Sequence, residues 1–81
     1  MTDKKEYQPI SCAEHDTYEI AIMRKQHLHI AWHDKDKRSF IDVLKPTDLI
    51  TRNHAEYLVA TNQNGTQVEI RLDYIRHSEP V

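Results

Sequence analysis

The first part of the chain carries apolar residues with a helical period. Residues 11–14, Ser-Cys-Ala-Glu, match a capping box, in which the serine hydroxyl accepts an early helical N–H and the glutamate reaches back. Tyr18, Ala21 and Ile22 follow at i, i+3, i+4 spacing and form one apolar stripe. The pattern therefore predicts a helix over residues 11–24, preceded by a polar, mobile arm over residues 1–8.

A second stripe, which mixes acidic and apolar residues, lies on roughly the other side of this predicted helix. It consists of Asp16, Glu19, Ile20 and Met23. If the first stripe packs on the rest of the domain, the second is free to contact a partner. The alternative is a shorter helix, in which Ile20 and Ile22 belong to the start of a strand.

After residue 26 the apolar period changes to the two-residue period of strands. Leu28, Ile30 and Trp32 alternate with more polar positions, which predicts a half-buried strand. The next strand is expected over residues 39–45, with Ile41 and Val43 directed inwards. Proline cannot donate to a ladder, so Pro46 is expected to end this strand.

Further short strands are separated by turn sequences. They are expected from residue 49, over residues 57–61, around residues 68–72, and after residue 74, with a tail over residues 78–81. Turns are predicted over residues 52–55 and over 62–65, where Asn-Gly favours positive φ. One helix followed by about five short strands predicts a single, mostly β domain over residues 1–81. Closing residues 26–77 into a small bent barrel would hide both sheet edges.

Composition narrows the possible functions of this domain. The chain has 81 residues, 11 Lys and Arg against 13 Asp and Glu, and a net charge of −2. This balance lacks the basic excess typical of proteins that grip nucleic-acid phosphates. An RNA-binding module remains the alternative, because small bent barrels often bind RNA and six cations could line one edge. These are Lys35, Lys37, Arg38, Arg52, Arg71 and Arg76.

The sequence signals for a catalytic or a metal-binding site are weak. His27, His29 and His33 share one strand face, but a carboxylate or cysteine that would complete a metal site is not evident near them. Cys12 and His15 have helical i, i+3 spacing without a recognisable oxyanion motif. We expect no enzyme activity, no cofactor and no metal. The sequence predicts neither a signal peptide nor a membrane span, so the expected compartment is the cytoplasm.

The acidic side of the predicted helix is the favoured candidate for function. Glu14, Asp16 and Glu19 place three negative charges within two turns. Acids near a helix N-terminus commonly serve only to stabilise the helix dipole. Together with exposed Ile20 and Met23, however, they are typical of a surface that docks into a basic groove.

Four segments of the sequence resemble the Rof (YaeO) family of Rho-specific inhibitors of transcription termination. The segments are residues 7–12 (Tyr-Gln-Pro-Ile-Ser-Cys), 48–52 (Asp-Leu-Ile-Thr-Arg), 56–59 (Glu-Tyr-Leu-Val) and 71–75 (Arg-Leu-Asp-Tyr-Ile). They occur in the same order and with similar spacing over nearly the whole chain.

The resemblance implies an Sm-like small barrel with an N-terminal helix. It also implies an antiterminator that binds the N-terminal primary RNA-binding site of the termination factor Rho and blocks RNA loading. Direct nucleic-acid binding is then not expected. Carried over by position, the contacts to Rho would be His15, Asp16 and Glu19 on the helix and Arg52, Asn53 and His54 in the turn.

Overall fold

The computed structural model describes residues 7–81, so most of the predicted N-terminal arm lies outside the described residues. The last two residues of this predicted arm, Tyr7 and Gln8, are held by hydrogen bonds. The Tyr7 hydroxyl donates to Glu56 at 3.1 Å, and the Gln8 N–H donates to Asp73 at 2.9 Å. These two contacts attach the segment before the helix to a strand, through Glu56, and to a short 3-10 helix, through Asp73, which a polarity argument alone could not predict.

Helix α1 spans Cys12–Arg24, close to its predicted bounds. The predicted capping box is present: the Glu14 N–H donates to the Ser11 hydroxyl at 3.2 Å, and the Glu14 carboxylate accepts from the Ser11 N–H at 3.3 Å. Lys25 ends the helix in the left-handed conformation with φ 55°. The shorter-helix alternative is therefore wrong. No helix within residues 7–81 has the length and apolar character needed to cross a membrane.

Five antiparallel strands follow the helix, and the mostly β class with an N-terminal helix is confirmed. They are β1 (Leu28–His33), β2 (Ser39–Arg52), β3 (Ala55–Thr61), β4 (Gln67–Arg71) and β5 (Ile75–Pro80), with a 3-10 helix at Leu72–Tyr74 before β5. The strand order in the sheet is β4-β3-β2-β1-β5. Since β4 and β5 are the outer strands of this order, closure into an Sm-like barrel stays a prediction.

Strand β2 contradicts the prediction that Pro46 ends a strand. It continues through a buried Pro46 to Arg52, pairing first with β1 and then with β3. The β1 ladder stops at Leu28, opposite Leu44, and the β3 register shifts between Pro46 and Asp48. Proline is tolerated at a bulge because its missing N–H leaves no ladder bond unmade there. The two short strands predicted on either side of Pro46 are one long strand.

The predicted inward face at the start of β2 is also wrong. Ile41 is 68% exposed, whereas Leu44 is fully buried. Residues directly opposite each other in an antiparallel pair point to the same face. Leu44 lies opposite the buried Leu28, so the even-numbered residues in the first half of β2 face the core. The odd-numbered residues, including Ile41, face away from it.

The predicted tail at residues 78–81 is mostly a strand. Strand β5 extends to Pro80 and pairs with β1 over its length, and the Val81 N–H donates to the His27 carbonyl at 3.2 Å. Strand β1 would otherwise present unpaired backbone groups on this side. Local polarity hid this pairing, because Arg76, His77, Ser78 and Glu79 give no strand-like apolar pattern.

The core lies between one side of α1 and one face of the sheet. Tyr18 and Ala21 contribute from the helix and are 3% and 0% exposed. The sheet and the 3-10 helix contribute Leu28, Ile30, Leu44, Leu58, Ala60, Ile70 and Leu72. The predicted first stripe of the helix therefore packs inwards, and this fixes which side of the helix faces solvent.

Candidate functional site

The solvent-facing side of α1 carries the predicted acidic and apolar stripe, which we call the helix face: Asp16, Glu19, Ile20 and Met23. All four residues are exposed, and Met23 and Ile20 reach 79% and 43%. Asp16 makes no ion pair with any residue in the range 7–81. Buried Tyr18 and Ala21 hold the opposite side, so this mixed surface is presented on a fixed support.

Two further predicted helix residues have internal partners. Glu14 is engaged in the capping box with Ser11. The ring of His15 lies between two carboxylates, with Nδ1 3.5 Å from Glu19 and Nε2 3.5 Å from Glu56. Glu56 belongs to β3, so His15 connects the helix face to the sheet near the predicted turn.

The turn between β2 and β3 contains the other three predicted residues. Asn53 and His54 have φ values of 53° and 65°, and both side chains are exposed. Left-handed backbone at two successive residues matches the right-handed twist of a tight hairpin. Arg52 donates to Glu69 at 2.8 Å and lies 5.4 Å from the centre of the Tyr57 ring. The turn is thus a fixed element of the surface, two residues before the glutamate that contacts His15.

A groove beside the helix face contains residues that the sequence did not single out as a site. It lies between the last turns of α1 and the middle of β2 and has a volume of about 490 Å³. Its lining consists of Glu19, Ile22, Met23, Asp48 and Leu49. No local sequence signal joins residues 22 and 48, because their proximity follows from the packing of α1 on the long β2 strand.

Three of the six cations considered for RNA binding are paired with carboxylates of the same chain. Arg38 contacts Asp34 at 3.1 Å, and Arg52 contacts Glu69 at 2.8 Å. Arg71 makes hydrogen bonds of 2.7 and 2.8 Å to Asp73. These pairs reduce the positive potential that a phosphate backbone would meet on this edge.

The histidines considered for metal binding have separate neighbours. His29 lies 3.9 Å from Glu79, while His33 Nδ1 is 2.9 Å from the Asp34 carbonyl and its ring lies 4.7 Å from the Tyr74 ring. Among residues 7–81, no three histidine, cysteine or acidic side chains form a metal-binding group. Cys12 is an exposed free thiol at the start of α1. The His15 ring, the base considered for it, is placed between Glu19 and Glu56.

The sequence comparisons define the family. Residues 9–80 match the family model described as modulator of Rho-dependent transcription termination (ROF), and this chain belongs to that family. The family is therefore one of regulators of termination. The predicted resemblance is confirmed.

Named relatives agree with this assignment. The chain is 36% identical over 69 residues to Protein rof of Escherichia coli strain K12, covering 85% of this chain and 76% of that protein. The same figures hold for Protein rof of Shigella flexneri.

A solved structure shares the fold. The proteasome accessory factor B/C (PafBC) of Arthrobacter aurescens matches 94% of this chain with a TM-score of 0.77 at 15% identity. The match covers only 12% of that much longer chain, so it describes the architecture of a small part of it.

Proposed function

We propose that this protein inhibits Rho-dependent termination by binding the N-terminal primary RNA-binding site of Rho, where its helix face takes the place of RNA. Rho cannot load a transcript while this site is covered, and termination fails. A site that binds RNA must present cations, and the exposed carboxylates of Asp16 and Glu19 are surrogates for phosphate. This contact requires the protein to meet Rho in the cytoplasm, which is the compartment that we propose.

The observation that carries this proposal is the composition of the helix face. Two exposed carboxylates lie beside Ile20 and Met23, on a helix whose other side is buried. Soluble domains rarely leave large apolar side chains grouped on a fixed surface unless that surface binds something. The acids select a basic partner, and the apolar side chains favour a protein over a free nucleic acid.

The two kinds of side chain have different energetic roles. Exposed ion pairs contribute only about 0–1 kcal/mol each. Complementary charges mainly accelerate the encounter and set its orientation, whereas desolvated apolar contacts slow dissociation. Asp16 and Glu19 would therefore steer the helix face into the basic site, and Ile20 and Met23 would retain it there.

The remaining predicted contacts extend the same surface. His15 joins the helix to Glu56 of β3, and the turn formed by Arg52, Asn53 and His54 ends two residues before that glutamate. Glu14, as part of the capping box, lies in the first turn of α1, where it lines a cleft towards β5 together with Tyr18. We include these residues in the Rho-binding surface, with the helix face at its centre.

The proposal is tested by reversing the charge of the helix face. The double variant Asp16→Lys plus Glu19→Lys should lose inhibition in a termination assay with purified Rho. Both side chains are exposed, and within residues 7–81 the only ion pair removed is the 3.5 Å contact of Glu19 with His15, so circular dichroism should show an intact fold.

A matched control changes net charge equally at other exposed acids. Asp36→Lys plus Glu79→Lys also removes two negative charges and adds two positive ones, so both double variants change the net charge from −2 to +2. Asp36 and Glu79 lie in the β1–β2 turn and in β5. The control should inhibit like the wild type. A helix-face variant that still blocks termination would show that the helix is not the docking surface.

The RNA-binding alternative predicts a different result in a simple mixture. Labelled RNA incubated with this protein alone should stay unbound, because three candidate cations are paired internally. Adding the protein to Rho should release RNA from Rho. Retention of RNA by the protein without Rho would favour the alternative.

A further inference from the structure

We infer that the groove between α1 and β2 receives a lysine or arginine side chain from the basic surface of Rho. This inference rests on the proposed function and adds a second contact region beside the helix face. The groove is lined by Glu19, Ile22, Met23, Asp48 and Leu49, has a volume of about 490 Å³, and is wide open to solvent. Only Glu19 and Met23 are shared with the helix face.

The lining matches the chemistry of a long cationic side chain. Lysine and arginine combine an apolar stem with a charged head, and the stem packs on apolar surface while the head seeks an anion. Ile22, Met23 and Leu49 supply the apolar part of the lining, and Glu19 and Asp48 supply two carboxylates. None of these five residues is positively charged, so a bound lysine or arginine meets no like charge in the lining.

A local hydrogen bond restrains the Asp48 carboxylate before any partner arrives. One of its oxygens, Oδ1, accepts the Leu49 N–H at 2.8 Å. Asp48 also follows the register shift after Pro46, and bulges commonly re-aim a side chain relative to a regular strand. A carboxylate held in this way loses little conformational freedom when its second oxygen accepts a cation.

The charge of the groove excludes other classes of occupant. A phosphate backbone or an acidic peptide would place like charges beside Glu19 and Asp48, which is unfavourable. A purely apolar segment would remove both carboxylates from water without a partner. A basic side chain of a second copy of this chain has the right charge, so self-association is measured as a competing outcome.

The first test replaces Asp48 by asparagine, which keeps an Oδ1 acceptor for the Leu49 N–H and removes the charge. Binding of the full-length variant to the intact Rho hexamer is followed by fluorescence anisotropy. Loss of one partly exposed ion pair predicts about three- to fivefold weaker binding. Asp48→Lys should weaken binding by on the order of tenfold or more, because like charges then meet. Asp36→Asn, at an exposed acid in the β1–β2 turn, should bind like the wild type.

A second test asks whether Glu19 and Asp48 act on one guest. If both carboxylates contact the same cation, the effects of Glu19→Gln and Asp48→Asn should be non-additive in a double-mutant cycle. Additive losses would show that they face different groups and would overturn the single-guest groove. The asparagine and glutamine variants preserve size and shape, so the cycle does not depend on whether Asp48→Lys folds.

Failure of the groove inference gives a different set of results from failure of the proposed function. Wild-type affinity for the Asp48 variants, together with lost binding by Asp16→Lys plus Glu19→Lys, would overturn the groove and leave the proposed function standing. A wild-type protein that does not bind Rho would overturn both. Gel filtration that shows a dimer dissociated by Asp48→Asn would assign the groove to a second copy of this chain.

Discussion

Two arginine–carboxylate pairs in this domain have similar distances and very different burial, which makes them a controlled comparison. Arg71 and Asp73 share hydrogen bonds of 2.7 and 2.8 Å, and their side chains are 11% and 9% exposed. Arg52 and Glu69 share one hydrogen bond of 2.8 Å, with 51% and 34% exposure. The contribution of such pairs to stability depends on burial more than on distance.

Asp73→Asn should destabilise the protein strongly. It leaves the Arg71 guanidinium, which lies 4.6 Å from the centre of the Tyr74 ring, without its anionic partner. Breaking a buried pair on one side costs about 3–5 kcal/mol, and the remaining exposure places this pair near the lower limit, at about 3 kcal/mol. Glu69→Gln removes an exposed pair and should cost about 0–1 kcal/mol.

Urea and thermal unfolding followed by circular dichroism measure both values. For a domain of this size, 1 kcal/mol shifts the melting temperature by about 4–8 °C. Asp73→Asn should therefore lower the melting temperature by about 12–24 °C, against at most about 8 °C for Glu69→Gln. Equal losses in the two variants would refute the argument from burial.

The Arg71–Asp73 pair should also make the stability of the protein depend on pH. Burial raises the pKa of Asp73, but its hydrogen bonds with Arg71 and the Gln8 N–H outweigh burial and hold this pKa below the usual value. A carboxyl with a depressed pKa in the folded state stabilises above its unfolded pKa of about 3.9, and this contribution is lost as the pH falls further. The stability difference between wild type and Asp73→Asn should thus be full at neutral pH and shrink below about pH 4.

Two other predictions use the same kinds of measurement. Burial, followed by the hydrogen bond to Glu56, raises the pKa of Tyr7 to about 12. The contribution of the protonated Tyr7 to stability is therefore present below pH 10 and lost as the pH rises to 12. Urea unfolding of Tyr7→Phe at increasing pH should show a smaller alkaline loss of stability than the wild type, and an equal loss would contradict the assignment. Affinity for Rho should fall steeply from low to high salt, because the Debye length is only about 8 Å at physiological ionic strength; an affinity independent of salt would count against a charge-steered contact.

The helix and its orientation were predictable because their signals are local. The capping box at Ser11 and Glu14 marks the start of α1, and the spacing of Tyr18 and Ala21 identifies its buried side. Both signals act within one or two turns, where side-chain geometry follows directly from the helical repeat. The exposure of the helix face follows from these same residues.

The course of β2 was not predictable because non-local contacts determine it. Pro46 is a stop signal in an isolated strand, but here it lies at a bulge where β2 exchanges one neighbouring strand for another. Ile41 has the composition of a core residue, yet the pairing of Leu44 with Leu28 places it on the other face. The α1–β2 groove could not be foreseen for the same reason, since it requires Asp48 to follow that bulge.

The internal pairing of charges explains why net charge is a poor guide to what this surface binds. The formal charge of −2 suggests a nearly neutral molecule. However, Arg38, Arg52 and Arg71 are each within 3.1 Å of a carboxylate, so the positive charge of these three arginines is compensated locally. Within residues 7–81, Asp16 has no such partner, and the Asp48 carboxylate accepts a hydrogen bond from the neighbouring Leu49 N–H but makes no ion pair. We therefore expect the exposed acids Asp16 and Glu19 to attract a basic site to the side of the domain that carries Ile20 and Met23.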